Sequence, residues 1–229
     1  MPMVLKKLTT FVVVLYCLKM IQSSATTDVP DNINGYYVVE EAHHYANRTT
    51  LIWGENDETY FSVKVAMSQA CATYDSSTTC DDHLWYLDWN KLWGKGRCGY
   101  AHSHHEDSDR FVFRRCSDPS CKAYNGQNRI QLAGYSYDNG LNPYSDDPSL
   151  LPVFSTLLVP SVTYTLALSM DNVGKTSYIL MTDTGGVLET HVVQHTNTCV
   201  DNFNEGIVDG LYFGGSCRAP EVVGVEYTS

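Results

Sequence analysis

The chain has 229 residues, is 43% hydrophobic and 12% aromatic, and carries 15 Lys+Arg against 26 Asp+Glu, a formal charge of −11. That apolar content excludes wholesale disorder, and the length suits one large domain or two small ones. The acid surplus excludes a nucleic-acid binder, which needs a basic footprint.

Reading from the N-terminus, Lys6 and Lys7 form a positive start, and Leu8 to Leu18 is apolar apart from two threonines. Ser23-Ser24-Ala25 then offers the small residues a signal peptidase requires. The apolar run is too short to span a bilayer, and Lys19 interrupts it. Residues 1–25 are expected to be a signal peptide, 26–35 an N-terminal tail and 36–229 a single domain. The protein is thus expected to be secreted and extracellular, with no membrane span. Losing the leader removes Lys6, Lys7 and Lys19 but no acid, leaving 12 basic residues against 26 acidic ones and a formal charge of −14.

Beyond the leader, short runs rich in Val, Tyr, Phe, Thr and Leu recur between turn residues. They are Tyr36 to Val39, Thr59 to Met67, Phe111 to Phe113, Ile130 to Tyr137, Tyr164 to Met170, Tyr178 to Thr182, Val187 to Val193, Leu211 to Phe213 and Val222 to Tyr227. Asn125-Gly126, Asp138-Asn139-Gly140 and Asp183-Thr184-Gly185-Gly186 are turn signals between them. Only His83 to Trp93 has the pattern for one short helix. The stretch 142–160, with Pro143, Pro148, Pro152 and Pro160, reads as a long loop or a crossing between sheets, whose Leu150, Leu151, Val153 and Phe154 call for burial. Many short strands, Gly-rich turns and no helical alternation predict an all-β sandwich or jelly roll of two antiparallel sheets.

Seven cysteines follow the leader: Cys71, Cys80, Cys98, Cys116, Cys121, Cys199 and Cys217. In an oxidising compartment they predict three disulfides and one thiol that stays unpaired or bridges two chains as a dimer. Cys116 and Cys121 bracket an Asp-Pro turn, Cys199 and Cys217 flank one loop and strand, and Cys71, Cys80 and Cys98 compete for the third bond. Asn47-Arg48-Thr49 is the one N-x-S/T sequon, so a glycan on Asn47 is expected.

Eight of the 12 basic residues past the leader fall between Lys91 and Arg129. On the Asp109 to Arg115 strand, a period of two turns Phe111 and Phe113 to one side and Arg110, Val112 and Arg114 to the other. On the next strand Arg129, Gln131, Ala133, Tyr135 and Tyr137 share a face, opposite Ile130 and Leu132. Arginine, glutamine and paired tyrosines on one sheet face suit sugar recognition, because rings stack on apolar sugar faces while Arg and Gln bond hydroxyls or carboxylates. The candidate ligand-binding residues are Arg110, Arg114, Gln131, Tyr135, Tyr137 and His104, and the competing reading is an Arg–carboxylate network on a solvated face. His102 and His104 lie two apart beside acids, but spacing fixes no third ligand and no paired CxxC appears, so no metal site is assigned. No cofactor is expected; calcium is the one ion the many oxygen ligands would accept, although no EF-hand loop is present. The chain lacks GxSxG, HExxH, GxxxxGK[ST] and a helix-opening GxGxxG.

Asp88-Trp89-Asn90-Lys91-Leu92-Trp93-Gly94, His104-His105-Glu106-Asp107-Ser108-Asp109-Arg110-Phe111, and Tyr212-Phe213-Gly214-Gly215 followed by Ala219-Pro220 together resemble a group of uncharacterised secreted proteins with W-N-K-L-x-G, S-x-R-F and Y-F-G-G…A-P motifs. The late segment is also similar to the closing strands of concanavalin-like jelly rolls, a class that includes lectins and polysaccharide lyases. The resemblance, from about Trp85 to Val225, implies the fold more than a reaction, and the lyases' tyrosine-and-lysine strand pattern is not reproduced. The leading reading is a secreted jelly-roll protein that binds a glycan or another extracellular-matrix component through the Arg/Gln/Tyr face. The alternatives are an acidic structural protein of a matrix, mineralised or not, and a polysaccharide lyase using Tyr135, Tyr137 or His104 as base with Arg110 and Arg114 neutralising a uronate.

Overall fold

A computed structural model describes residues 34–47, 52–55, 60–75, 89–98, 105–116, 128–142, 144, 147–171, 173–196, 205–214 and 217–228. The chain forms β1 (Gly35–Val39), β2 (Ile52–Glu55), β3 (Tyr60–Met67), a single helical turn α1 (Ala70–Thr73), β4 (Asn90–Gly96), β5 (Ser108–Arg115) and β6 (Ile130–Tyr137). It continues as β7 (Thr163–Met170), β8 (Lys175–Thr182), β9 (Val187–Gln194), β10 (Glu205–Asp209) and β11 (Val223–Thr228). A six-stranded sheet in the order β1-β11-β3-β7-β8-β9 faces a five-stranded sheet in the order β2-β10-β4-β5-β6. Every pairing between these strands is antiparallel. The result is the two-sheet jelly-roll sandwich that the strand pattern predicts.

Alternation explains the layers. Along β3 the buried residues are Phe61, Val63, Val65 and Met67, while the residues between them stay part-exposed. These side chains meet Leu166, Leu168, Tyr178, Leu180, Val225 and Tyr227 of their own sheet and Leu92, Trp93, Phe111, Phe113, Ile130 and Leu132 of the other. Phe111 anchors the layer, with Trp93 stacked at 6.2 Å and Tyr178 edge-on at 5.3 Å across the gap between sheets. Both described hairpin signals are turns: Asn139 and Gly140 take φ of 53° and 74°, and Gly185 takes 86° between β8 and β9. Asn125-Gly126 lies outside the described residues.

Several expectations are corrected. Asn90 to Trp93 is not helical but the start of β4, because Leu92 and Trp93 both enter the core at an irregularity in register against β5; His83 to Asp88 lies outside the described residues. Leu211 to Phe213 is not a strand, since Tyr212 alone bridges to Tyr45 and Lys91. The stretches β2 and β10 form strands the pattern did not predict. The proline-bearing stretch runs along the free side of β6, where Ala133 pairs with Val153 and Ile130 with Leu158. It buries Phe154 and Leu158, but Leu150 stays 59% exposed in a 3-10 turn beyond that docked strip. Cys71 is no disulfide partner. It is a free, fully buried thiol whose sulfur donates toward the Gly224 carbonyl at 3.5 Å, so it cannot reach a second chain either. Cys98, Cys116 and Cys217 are disulfide-bonded, and Cys80, Cys121 and Cys199 lie outside the described residues.

Candidate functional site

The candidate site is the outward face of β4, β5 and β6. Opposed residues in an antiparallel pair project to the same side, so the register lays out the floor. One row runs Tyr45–Tyr212–Lys91–Val112–Ala133–Val153. A second runs Gly94–Arg110–Tyr135, and Arg114 stands opposite Gln131. Val112 and Ala133 have no exposed surface although they lie outside the core between the sheets, because the longer side chains around them close over this floor. No acidic residue occupies the described outward positions of these three strands.

Each cation rests on a ring. The Arg110 guanidinium lies 5.8 Å from the centroids of both Tyr135 and Tyr137, whose rings meet edge-on at 5.8 Å. Lys91 Nζ is 5.4 Å from the Tyr135 centroid and donates to the Trp89 carbonyl at 2.9 Å. The Arg114 guanidinium sits 4.3 Å over Trp89, and its Nε donates to Gln131 Oε1 at 2.8 Å. Asn142 donates its amide to the Tyr135 hydroxyl, and Tyr144 packs against the same ring at 5.5 Å. Burial pushes the Tyr135 phenol well above its ordinary range; the neighbouring Tyr137 adds to this, and Arg110 and Asn142 offset part of it. Tyr135 is therefore held as a neutral phenol.

The structure thus brings Arg110, Arg114, Gln131, Tyr135 and Tyr137 onto one face, with Arg110 buried and the other four part-exposed. His104 and His102 lie outside the described residues; neighbouring His105 is exposed and packs 5.2 Å from the Tyr137 ring. Lys91, Trp89, Asn142, Tyr144 and Tyr212 were not among the candidate ligand-binding residues. Strand alternation across Asn90 sets Trp89 and Lys91 to the same side, a signal that the helical reading of His83 to Trp93 hides. Among the described residues no group of three His, Cys, Asp or Glu is placed to hold a metal ion.

Behind the face lies a second polar cluster, which sequence reasoning missed. Asp109 is fully buried, and its Oδ1 accepts from Ser136 Oγ at 2.7 Å and Tyr178 OH at 2.9 Å while its Oδ2 accepts from Thr176 Oγ1 at 2.8 Å. His195 Nε2 lies 3.0 Å from Oδ1 and Arg97 Nε 3.1 Å from Oδ2. Arg97 also pairs with Asp107 at 3.2 Å and lies 3.7 Å from Asp138. Burial by itself would raise the Asp109 carboxyl; the bond and charge of His195, then Arg97 and Ser136, overturn that and hold it at about 2. The network fastens β5 and β6 to β8 and the end of β9 directly beneath Arg110, Tyr135 and Tyr137. A signal for it was present, because Asp109 shares strand parity with Phe111 and Phe113, and a carboxylate facing a core requires partners.

No family model matches this chain, and no curated protein does. It is similar in structure to the alginate lyase Aly36B, at 12% identity over 84% of this chain and 77% of that one, with a TM-score of 0.48. It is also similar to the CBM2 module of the evolved Dit of Lactobacillus casei BL23 phage J-1, at 10% identity, 91% and 83% coverage and a TM-score of 0.41. A GH16 protein of the Bacteroides ovatus mixed-linkage glucan PUL aligns at 8% identity, 84% and 77% coverage and a TM-score of 0.39.

Proposed function

We propose that the protein is a secreted glycan-binding sandwich that takes up sugar on the outward face of β4, β5 and β6. One observation carries this reading: Lys91, Arg110, Arg114 and Gln131 converge with the rings of Trp89, Tyr135 and Tyr137 over the closed floor of Val112 and Ala133. Rings give apolar sugar faces a stacking platform, and fixed polar side chains between them choose among hydroxyls and acidic groups. Tyr135, one of the candidate bases for a lyase, is a poor one because its phenol resists deprotonation. Binding is therefore the better-supported use of this face. The N-terminal leader pattern, the disulfide-bonded Cys98, Cys116 and Cys217, and the exposed sequon residue Asn47 support passage through an oxidising secretory route.

The test is co-sedimentation of the protein with a panel of insoluble and immobilised polysaccharides, with and without EDTA. Selective retention on one glycan, lost in Arg114→Ala and Tyr135→Ala, is the expected outcome. Retention nowhere, or on every matrix alike and abolished by salt, rules the reading out. Release of unsaturated sugar during incubation replaces it with a lyase.

A further inference from the structure

We infer that Tyr45 and Tyr212, beyond β4, form a second stacking subsite separate from Tyr135, and that the glycan is a chain laid across the strands to reach it. The inference rests on the glycan-binding reading above and deepens it by naming where the sugar chain runs. Among the described tyrosine, phenylalanine and tryptophan side chains Tyr45 is the most exposed, at 71%. A single exposed ring on a loose loop calls for no explanation. This ring is neither single nor loose. Tyr212 exchanges backbone hydrogen bonds with Lys91, donating at 2.9 Å and accepting at 2.8 Å, and Tyr45 pairs with Tyr212 in turn. The Tyr45 segment is fastened further by the Phe213 amide donating to the His44 carbonyl at 2.8 Å and the Asn47 amide donating to the Val38 carbonyl at 2.7 Å.

The rings reinforce one another. His44 stacks on Tyr212 at 5.5 Å with 10° between planes, its Nδ1 donating to the Phe213 carbonyl at 2.9 Å, and Tyr45 meets Tyr212 at 5.0 Å in an edge-on contact. The three rings are thus fixed before any ligand arrives, which lowers the ordering cost of stacking the apolar face of a sugar on Tyr45. Opposed residues project to one side, so Tyr45 and Tyr212 share the side of Lys91, Val112 and Ala133. The row is bounded at β6 by the strip that pairs Val153 with Ala133, and its other end is the exposed Tyr45. Tyr135, on β6, lies four strand spacings from the Tyr45 segment, roughly 19 Å. A disaccharide is too short to touch both ends, whereas a chain of about four to six sugars covers that span.

The probes are cellobiose and cellohexaose, together with the dimer and hexamer cut from the polysaccharide that the panel above retains, titrated into the full chain. In the series that binds, the hexamer is expected to bind at least about tenfold tighter than the dimer. Tyr45→Ala, at an exposed position, weakens hexamer binding about threefold to tenfold and leaves dimer binding within about twofold. Tyr45→Phe keeps the ring and binds the hexamer like the parent. In the parent itself, nitration of Tyr45 by tetranitromethane, followed by mass spectrometry, is slowed by the hexamer and not by the dimer. Hexamer binding unchanged in Tyr45→Ala, or nitration unaffected by the hexamer, overturns the subsite while leaving the glycan reading in place. A loss in Tyr45→Phe equal to that in Tyr45→Ala overturns stacking as the contact, and equal losses for dimer and hexamer overturn its separation from Tyr135. A dimer bound as tightly as the hexamer overturns the chain laid across the strands. Binding of no oligomer together with failure of the wider panel removes both readings.

Discussion

Replacing Asp109 by asparagine keeps the shape of the side chain and removes the charge that five partners share. Arg97 and His195, each 1% exposed at the side chain, then lose the carboxylate between them. Breaking a buried pair from one side costs about 3–5 kcal/mol when the remaining charge is left uncompensated, and because Arg97 keeps Asp107 at 3.2 Å the loss here is expected at the low end of that range. The pH dependence isolates the cause. A carboxyl held at about 2 in the fold against an ordinary 3.8 contributes stability that is complete above the unfolded value and is lost as pH falls through the folded one. That contribution is about 2–3 kcal/mol, released below roughly pH 4. Urea unfolding of the parent and Asp109→Asn proteins at pH 7, 5, 4, 3 and 2 measures both effects. The gap between them is expected to be widest at and above pH 5 and to narrow by about 2–3 kcal/mol toward pH 2. A gap below about 1 kcal/mol at pH 7, or one that stays constant down to pH 2, would show that Asp109 is not the charge centre of this end of the sandwich.

Three further outcomes follow from single residues. Gly134→Ala, beneath Tyr135, would place a Cβ 2.9 Å from the Tyr178 ring, so the variant is expected to lose about 1–3 kcal/mol in thermal unfolding. The Cys71 thiol, pushed up to about 12 by burial, is expected to resist iodoacetamide at pH 8 in the native protein and to react once urea unfolds it; rapid native labelling contradicts its placement. Asn47 is exposed and its Oδ1 accepts from the Val38 amide at 3.0 Å, leaving Nδ2 as the atom a glycan would occupy. Protein secreted from eukaryotic cells is expected to lose mass on glycosidase treatment, and Asn47→Gln protein is not.

The parts of this molecule legible in the sequence are those governed by local alternation. The faces of β5 and β6 follow from parity alone, which is why Arg110, Arg114, Gln131, Tyr135 and Tyr137 could be placed together. The turns at Asn139-Gly140 and Gly185 were legible because few residues accept their backbone conformation. What escaped depends on partners distant in the chain. The segment Asn-Lys-Leu-Trp-Gly-Lys-Gly has little strand propensity, with two glycines and two lysines, and becomes β4 only because β5 and β10 lie on either side of it. Arg97, Asp109 and His195 come from three separate segments, and no spacing announces that they meet. Cys71 was indistinguishable by spacing from its neighbours, and only the packing of α1 shows that its sulfur turns inward.

The strip that docks on β6 has a consequence for how copies of this chain meet at high concentration. Its backbone occupies donors and acceptors on that border of the five-stranded sheet, through Gly134 to Pro152, Leu132 to Phe154, and Ile130 to Leu158 in both directions. Pro152 and Pro160 have no amide hydrogen to pass the ladder on. The sheet that carries the candidate site is thereby blunted against growing onto a neighbour on this side. The other sheet ends at β9, eight residues long and without a proline, with Val187 and Val192 more than half exposed. Strand-to-strand aggregation, when it comes, is expected to begin there and to leave the outward face of β4, β5 and β6 uncovered.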